Sequence, residues 1–230
     1  MRKLNAPGDS VQDVFSTCIE SYRDAALKNR LRSIVPVLSD EASRFEDCVL
    51  TSKTHTIPTA DNVGGVVSKA EMLDIYESKF VKGTGRPYYD KYMSLPTNGK
   101  CPFCGIGTVS TLDHYLPKSK YPALAITPKN MIPACRDCNL GKKRTFSPQN
   151  SEEEPLHPYF DDVEQDIWLS VRFEVAGKEL VPTYFVRKPV AWNDLLFRRV
   201  ENHMVLYNLY TSYAVHAAEE ITGRSGIWHV

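Results

Sequence analysis

Two Cys-x-x-Cys pairs, Cys101-Pro-Phe-Cys104 and Cys135-Arg-Asp-Cys138, bracket one short stretch of a 230-residue chain. No other feature constrains the fold as tightly. Cysteine pairs at this spacing converge on a single ion, and two pairs close a tetrahedral zinc site. Gly105 and Gly107 follow the first pair and let the backbone turn back tightly enough for two sulfurs to meet. A redox dithiol or unrelated buried cysteines would not account for two pairs with glycines behind the first. Four sulfur ligands leave no open position, so the expected Zn²⁺ is structural. Its task would be to hold a unit with too small a core to fold alone.

Between the pairs stands Asp113-His114, placed at the end of a short strand and followed by the loop "YLPKSKYPALAITPK". A histidine oriented by a neighbour serves as a general base near neutral pH. A carboxylate beside it can hold a hard divalent cation such as Mg²⁺. Asn130 and Asn139 follow and could fix the His ring and complete a metal site. As a bare dipeptide, Asp-His is more often a surface pair with no role. Its position inside the cysteine frame, beside a basic loop and ahead of two asparagines, shifts the weight towards chemistry.

Formal net charge is zero, but it is unevenly spread. Residues 100–150 carry eight basic side chains against Asp113 and Asp137, whereas residues 151–166 carry seven acidic ones and no basic one. A positive stretch on the candidate site suits a polyanion, although a lysine-rich solvated surface would read the same way. Lys118, Lys120, Lys142, Lys143 and Arg144 could each neutralise a phosphate, with little sequence preference. Lys142 to Arg144 would equally suit a helix C-terminus. Tyr115 and Tyr121 could stack on a sugar or base, but core packing is the commoner use. His157, in "LHPYFDD", reads more readily as a packed loop histidine than as a ligand.

The remaining segments read as support. Helical spacing and a Ser10–Asp13 start predict a helix over 10–30, with Pro36 as an interruption and a weaker helix over 39–50. Ser68 with Glu71 opens a helix carrying Met72, Ile75, Tyr76 and Phe80, and "RPYYDKYM" makes a short aromatic one. In the centre, strands are expected over 108–112 and 130–133, then a helix from Arg136. "IWLSVRFEV" and "VPTYFV" alternate as paired strands. Asn193 caps a final helix, with Gly223 as its stop. Cys18 and Cys48 are expected as small buried apolar residues. No run of about 18 apolar residues occurs, so no transmembrane helix is expected. The basic residues of "MRKLNAPGDS" have no apolar stretch behind them, so no signal peptide is expected either. A reducing cytoplasm follows.

The central stretch resembles the core of an HNH endonuclease, of the kind whose ββα-metal hairpin is braced by four-cysteine zinc. The motif of that family, Asp-His, then Asn in the second strand, then Asn or His in the helix, matches Asp113-His114, Asn130 and Asn139. The resemblance implies that His114 activates water against a phosphorus, that Asp113 and Asn139 hold Mg²⁺ or Mn²⁺, and that Asn130 orients His114 across the hairpin. Asn139 stands where many members have His. More loosely, "GRPYYDKYMS" and "DHYLPKSKYP…NMIPACRDCN" resemble the HNH component of Septu-type and retron-linked antiphage systems. That likeness implies a DNA substrate and an ABC-type ATPase partner docked on the N-terminal helices.

The expected class is α+β: a mostly helical protein around a zinc-braced ββα unit. Its parts would be a helical region over 1–96, the HNH core over 97–150, and an acidic linker, β-hairpin and helix over 151–230. The alternatives are a zinc-stabilised binding module without catalysis and a nuclease acting on RNA. A pure binder has no need of a general base, which favours a nuclease.

Overall fold

The computed structural model describes residues 1–141, 146–177 and 179–225. Among them, helices surround three separate two-stranded antiparallel sheets, a mixed α+β arrangement. The N-terminal part holds α1 (Val11–Ile19), α2 (Ala25–Arg32) and α3 (Val35–Leu50), then the short β1 (Asn62–Val63) and β2 (Val67–Ser68). Next come α4 (Lys69–Asp74) and α5 (Arg86–Met93). The central hairpin is β3 (Thr111–His114) with β4 (Met131–Ala134), followed by α6 (Arg136–Gly141). A second hairpin, β5 (Leu169–Ala176) and β6 (Glu179–Val186), leads to α7 (Asp194–Leu206) and α8 (Leu209–Ser225).

Local sequence explains most boundaries. Ser10 caps α1 by accepting from the Asp13 N–H, and Ser68 with Glu71 forms a complete capping box at α4. The single helix expected over 10–30 is two, because the Asp24 carboxylate accepts from the N–H groups of Ala26 and Leu27 and starts α2 afresh. Pro36 does not interrupt. It lies in the first turn of α3, where its missing N–H costs nothing, so that helix begins earlier than expected. The final helix is likewise two, broken where Asn208 adopts a left-handed backbone, and Gly223 lies inside α8. The central strands are displaced towards the C-terminus, to 111–114 and 131–134.

The helix opened by Ser68 changes register midway. Residues Ile75–Val81 wind as a π-helix continuing α4. Bonding from i to i+5 puts Ile75 and Phe80 on one side, and both are buried together with Tyr76. Gly85 closes this segment at a site where a side chain would not fit. An added Cβ would lie 2.6 Å from Cys18 Sγ and 2.8 Å from Phe80 Cα.

Two apolar clusters meet at the central hairpin. One gathers Phe15, Cys18, Leu38, Met72, Ile75, Tyr76, Phe80 and Tyr92 with Leu112 and Met131. The other gathers Phe45, Phe103, Tyr115, Trp168, Val200 and Met204 with Ile132, Ala134 and the four paired cysteines. Strand alternation sorts the hairpin between them, since successive side chains face opposite ways. Asp113 is paired with Ile132, and His114 with Met131. The two residues of the Asp-His dipeptide therefore belong to opposite faces of the hairpin. Asp113 is half-buried on the cysteine side, and His114 is buried on the side of the N-terminal helices.

Candidate metal centre and Asp-His site

The first cysteine pair sits in a tight knuckle. The Cys101 N–H donates to Gly107 O at 2.8 Å and the Gly105 N–H to Cys101 O at 2.7 Å. Gly105 has φ +74°, and at Gly107 a Cβ would lie 2.8 Å from both Cβ and Sγ of Cys135, so only glycine lets the two pairs approach. The second pair lies where β4 passes into α6. All four sulfurs fall within 4.8 Å of one another, and Cys104 Sγ and Cys135 Sγ are 3.8 Å apart. Sulfurs about 2.3 Å from a tetrahedral Zn²⁺ stand about 3.8 Å apart, far beyond a disulfide bond of about 2.05 Å. The Gly107 N–H points at Cys104 Sγ at 3.3 Å and the Cys138 N–H at Cys135 Sγ at 3.5 Å, donors suited to thiolates. Hydrogen bonds among the sulfurs, first of all from Cys101, hold the Cys104 and Cys135 thiols below the usual range, and similar bonds push Cys138 up. The four cysteines are thus placed to bind one metal ion, and the site is compatible with structural zinc.

The C-terminal helices brace this knuckle, which nothing in its local sequence indicated. His203 Nε2–H donates to Phe103 O at 2.9 Å, and the Tyr213 hydroxyl to Cys104 O at 2.8 Å. Phe103 stacks on Tyr207 with ring centroids 4.7 Å apart. Burial holds the His203 imidazole down at about 3, so it stays neutral, as a donor to a carbonyl can be. From the other end of the chain, the Arg2 N–H donates to Pro102 O at 2.7 Å.

His114 ends β3 as a largely enclosed side chain. Its Nε2 lies 2.9 Å from Ala125 O. A carbonyl only accepts, so Nε2 carries a hydrogen, and in the neutral ring the basic lone pair is then on Nδ1. The Tyr76 ring meets the imidazole at 4.7 Å between centroids and 64° between planes. Asn130 is fully buried and holds the loop after His114 from both ends. Its Oδ1 accepts from the Leu116 N–H at 2.8 Å, and its Nδ2 donates to Leu116 O at 3.0 Å and to Leu124 O at 3.1 Å. The Tyr115 N–H also donates to Asn130 O at 2.8 Å. Asn139 lies in α6, which packs on β3, the strand that bears Asp113. Replacing Asn130 with alanine strands the buried N–H and C=O of Leu116 and leaves Leu124 O with the Thr127 N–H alone. The expected cost is about 2–4 kcal/mol in urea unfolding, more than a typical point mutation.

The acidic segment expected as a linker or covering loop is packed against the outside of the hairpin. Arg199 pairs with Asp161 at 2.6 Å and donates to Pro155 O and Glu154 O at 3.2 Å each. Tyr159 donates to Met131 O at 2.9 Å, and Tyr115 to Pro155 O at 2.7 Å. His157 is buried, with Nε2 donating to Lys129 O at 3.1 Å and Nδ1 accepting from the Tyr159 N–H at 3.2 Å. Both ring nitrogens are committed to backbone, which suits a packing histidine and not a ligand. Tyr121 is buried too, 2.6 Å from Ser147 Oγ.

The basic stretch is less positive than its local sequence. Lys118 pairs with Glu77, and Lys129 with Glu46 at 2.6 Å. Both acids come from N-terminal helices remote in sequence. Lys120 is half-exposed, and Lys142, Lys143 and Arg144 lie outside the described residues. Glu77, Tyr76 and Glu46 are the residues that sequence reasoning passed over. Tyr76 was visible as an apolar helix position, but no spacing rule points it at His114.

No family model matches the chain, and no solved structure matches it either. Among curated proteins, the chain is similar to protein ea31 of Escherichia phage lambda, with 28% identity over 98% of this chain and 80% of ea31. It is also similar to the Septu protein PtuB of Bacillus thuringiensis, with 31% identity over 42% of this chain and 38% of PtuB. Among the described residues, no helix is long and apolar enough to cross a membrane.

Proposed function

We propose that this chain is a metal-dependent endonuclease of the HNH type, which hydrolyses phosphodiester bonds in DNA. The observation that supports it most is the Asn130 clamp. A buried asparagine spends both ends of its amide holding the loop that follows a buried, tautomer-fixed histidine. Such an arrangement preorganises a general base, and a binding module has no use for one.

In this reading His114 Nδ1 takes a proton from water as the water oxygen attacks phosphorus, and the bond from phosphorus to the 3′ oxygen breaks. The Asp113 carboxylate and the Asn139 amide oxygen are hard donors on facing elements and would hold Mg²⁺ or Mn²⁺. When bound, that ion supplies Lewis-acid stabilisation of negative charge on the phosphoryl and leaving oxygens. Asp113 and His114, on opposite faces of the hairpin, would approach the phosphate from two sides. Lys118 and Lys120 would bind flanking phosphates, as would Lys142, Lys143 and Arg144. For Lys118 the phosphate would take the place of Glu77. The four-cysteine site holds the hairpin and takes no part in the reaction.

The likeness to the Septu protein PtuB supports a setting in antiphage defence, and we propose with it an ABC-type ATPase partner and a cytoplasmic location. The likeness to ea31 covers far more of the chain and bears on neither the nuclease chemistry nor the defence setting.

The test is a substrate and metal panel: supercoiled plasmid, single-stranded DNA and structured RNA, each with Mg²⁺ and Mn²⁺. Cleavage of DNA is expected. It should stop when Mg²⁺ is withdrawn by a chelator too weak to strip thiolate-bound zinc. Cleavage of RNA alone would move the substrate, and cleavage that continued without Mg²⁺ would contradict the role given to Asp113 and Asn139.

A further inference from the structure

We infer that Tyr76 is a positioning residue for His114: its ring, carried by the π-helical turn and faced by the Lys118 ammonium, holds the imidazole in its working orientation. The inference rests on the nuclease reading for what His114 does, but not for how its ring is held.

Two contacts bear directly on the orientation of the imidazole. The bond from Nε2–H to Ala125 O fixes one edge of the ring. The Tyr76 ring meets it at 4.7 Å in a T-shaped contact, which favours one setting of the imidazole plane. Aromatic pairs in this geometry favour their orientation by about 0.5–1.5 kcal/mol beyond area burial. Tyr76 is itself buried and stacked on Phe80 with centroids 5.5 Å apart. Its open side is met by Lys118 Nζ, 3.7 Å from the ring centroid, which also pairs with Glu77. A cation over one side of a ring adds attraction without needing the hydroxyl.

The local backbone is built for this placement. In an α-helix Ile75 and Phe80 would stand about 140° apart around the axis, at the two edges of one apolar face, whereas the π-helical turn brings them closer together. The π register gathers Ile75, Tyr76 and Phe80 into one core, while Glu77 remains outside to meet Lys118. π-Helical turns carry an energetic cost and concentrate at functional sites. Gly85 and Cys18 lock the segment against α1, so the position of Tyr76 is set by the N-terminal helices and delivered to the hairpin. A ring contact carries the role, so phenylalanine should replace tyrosine and an aliphatic residue should not.

Two measurements test this. The first needs no activity. In the wild-type protein, ¹⁵N and ¹H NMR of His114 should show one tautomer, protonated on Nε2, with cross-relaxation between the Tyr76 and His114 rings. In Tyr76→Leu, or in Tyr76→Met should the leucine variant not fold, the resonances should broaden or move towards mixed tautomers. In Tyr76→Phe they should be retained. A wild-type protein without the ring-to-ring cross-relaxation would overturn the inference.

The second is kinetic. Tyr76→Leu is expected to lower kcat at least tenfold with KM changed less than about threefold, while Tyr76→Phe stays within about twofold of wild type. His114→Ala, run beside them, separates the two failures. If His114→Ala is inactive and Tyr76→Leu matches wild type in kcat and in the His114 resonances, the positioning role is wrong and the nuclease reading stands. If His114→Ala is fully active, the nuclease reading fails, and the NMR result alone decides what Tyr76 does.

Discussion

His114→Ala is expected to lower the DNA cleavage rate by about 100- to 10,000-fold, the range over which a positioned general base contributes. The loss should fall on kcat with KM little changed, because in the proposed mechanism the imidazole acts on the reacting water and not on the backbone phosphates. Zinc content should be unchanged, since the four sulfurs lie across the hairpin from the imidazole. Stability should fall only modestly. The ring is buried between Tyr76 and the Ala125 carbonyl, so its removal leaves a small cavity and one unpaired acceptor, about 1–3 kcal/mol. His114→Gln is the sharper control, because an amide can still donate to Ala125 O but cannot take a proton near neutral pH. Equal loss in both variants would assign the effect to proton transfer. Survival of the glutamine variant would assign it to structure.

Cys104→Ser carries the largest expected effect on stability. A serine hydroxyl is a poor zinc ligand, and three remaining sulfurs cannot close the site. Structural zinc sites in small peptides contribute about 10–16 kcal/mol of apparent binding free energy, against a total stability of about 5–15 kcal/mol for a typical domain. Other contacts here share the burden, among them Tyr213 to Cys104 O and His203 to Phe103 O, so not all of that is lost. A decrease of about 5 kcal/mol would lower Tm by about 10–20 °C at this chain length. Metal analysis should find one zinc per chain in the wild type and almost none in the variant. An unchanged melting curve together with full zinc content would refute the structural role of the site.

Much of the site was legible because its signals are local. A cysteine pair followed by glycines encodes a knuckle within a few residues, and the four sulfurs do converge. Ser68 and Glu71 lie within one turn of each other, and their capping box forms. What could not be read is what depends on tertiary partners. The basic stretch looked open in sequence, yet Glu77 and Glu46 arrive from distant helices to pair with Lys118 and Lys129. Pro36 looked like a break because a proline inside a helix and one in its first turn differ only in what precedes them. The π-helix left no trace in the spacing of Met72, Ile75, Tyr76 and Phe80, which fits an α-helix nearly as well; only packing on α1 and the hairpin separates the two. The Asp-His dipeptide reads as one unit in sequence, and strand alternation, visible only once β3 and β4 are paired, gives its two side chains to opposite faces.

The most direct test of the central claim is the chemistry of the ends that the wild-type protein makes on supercoiled plasmid in Mg²⁺. Attack by water activated at His114, with the 3′ oxygen leaving, must give 5′-phosphate and 3′-hydroxyl ends, and nicks that DNA ligase reseals. Plasmid left intact in both Mg²⁺ and Mn²⁺, or cut to 3′-phosphate ends that ligase does not seal, would contradict the account.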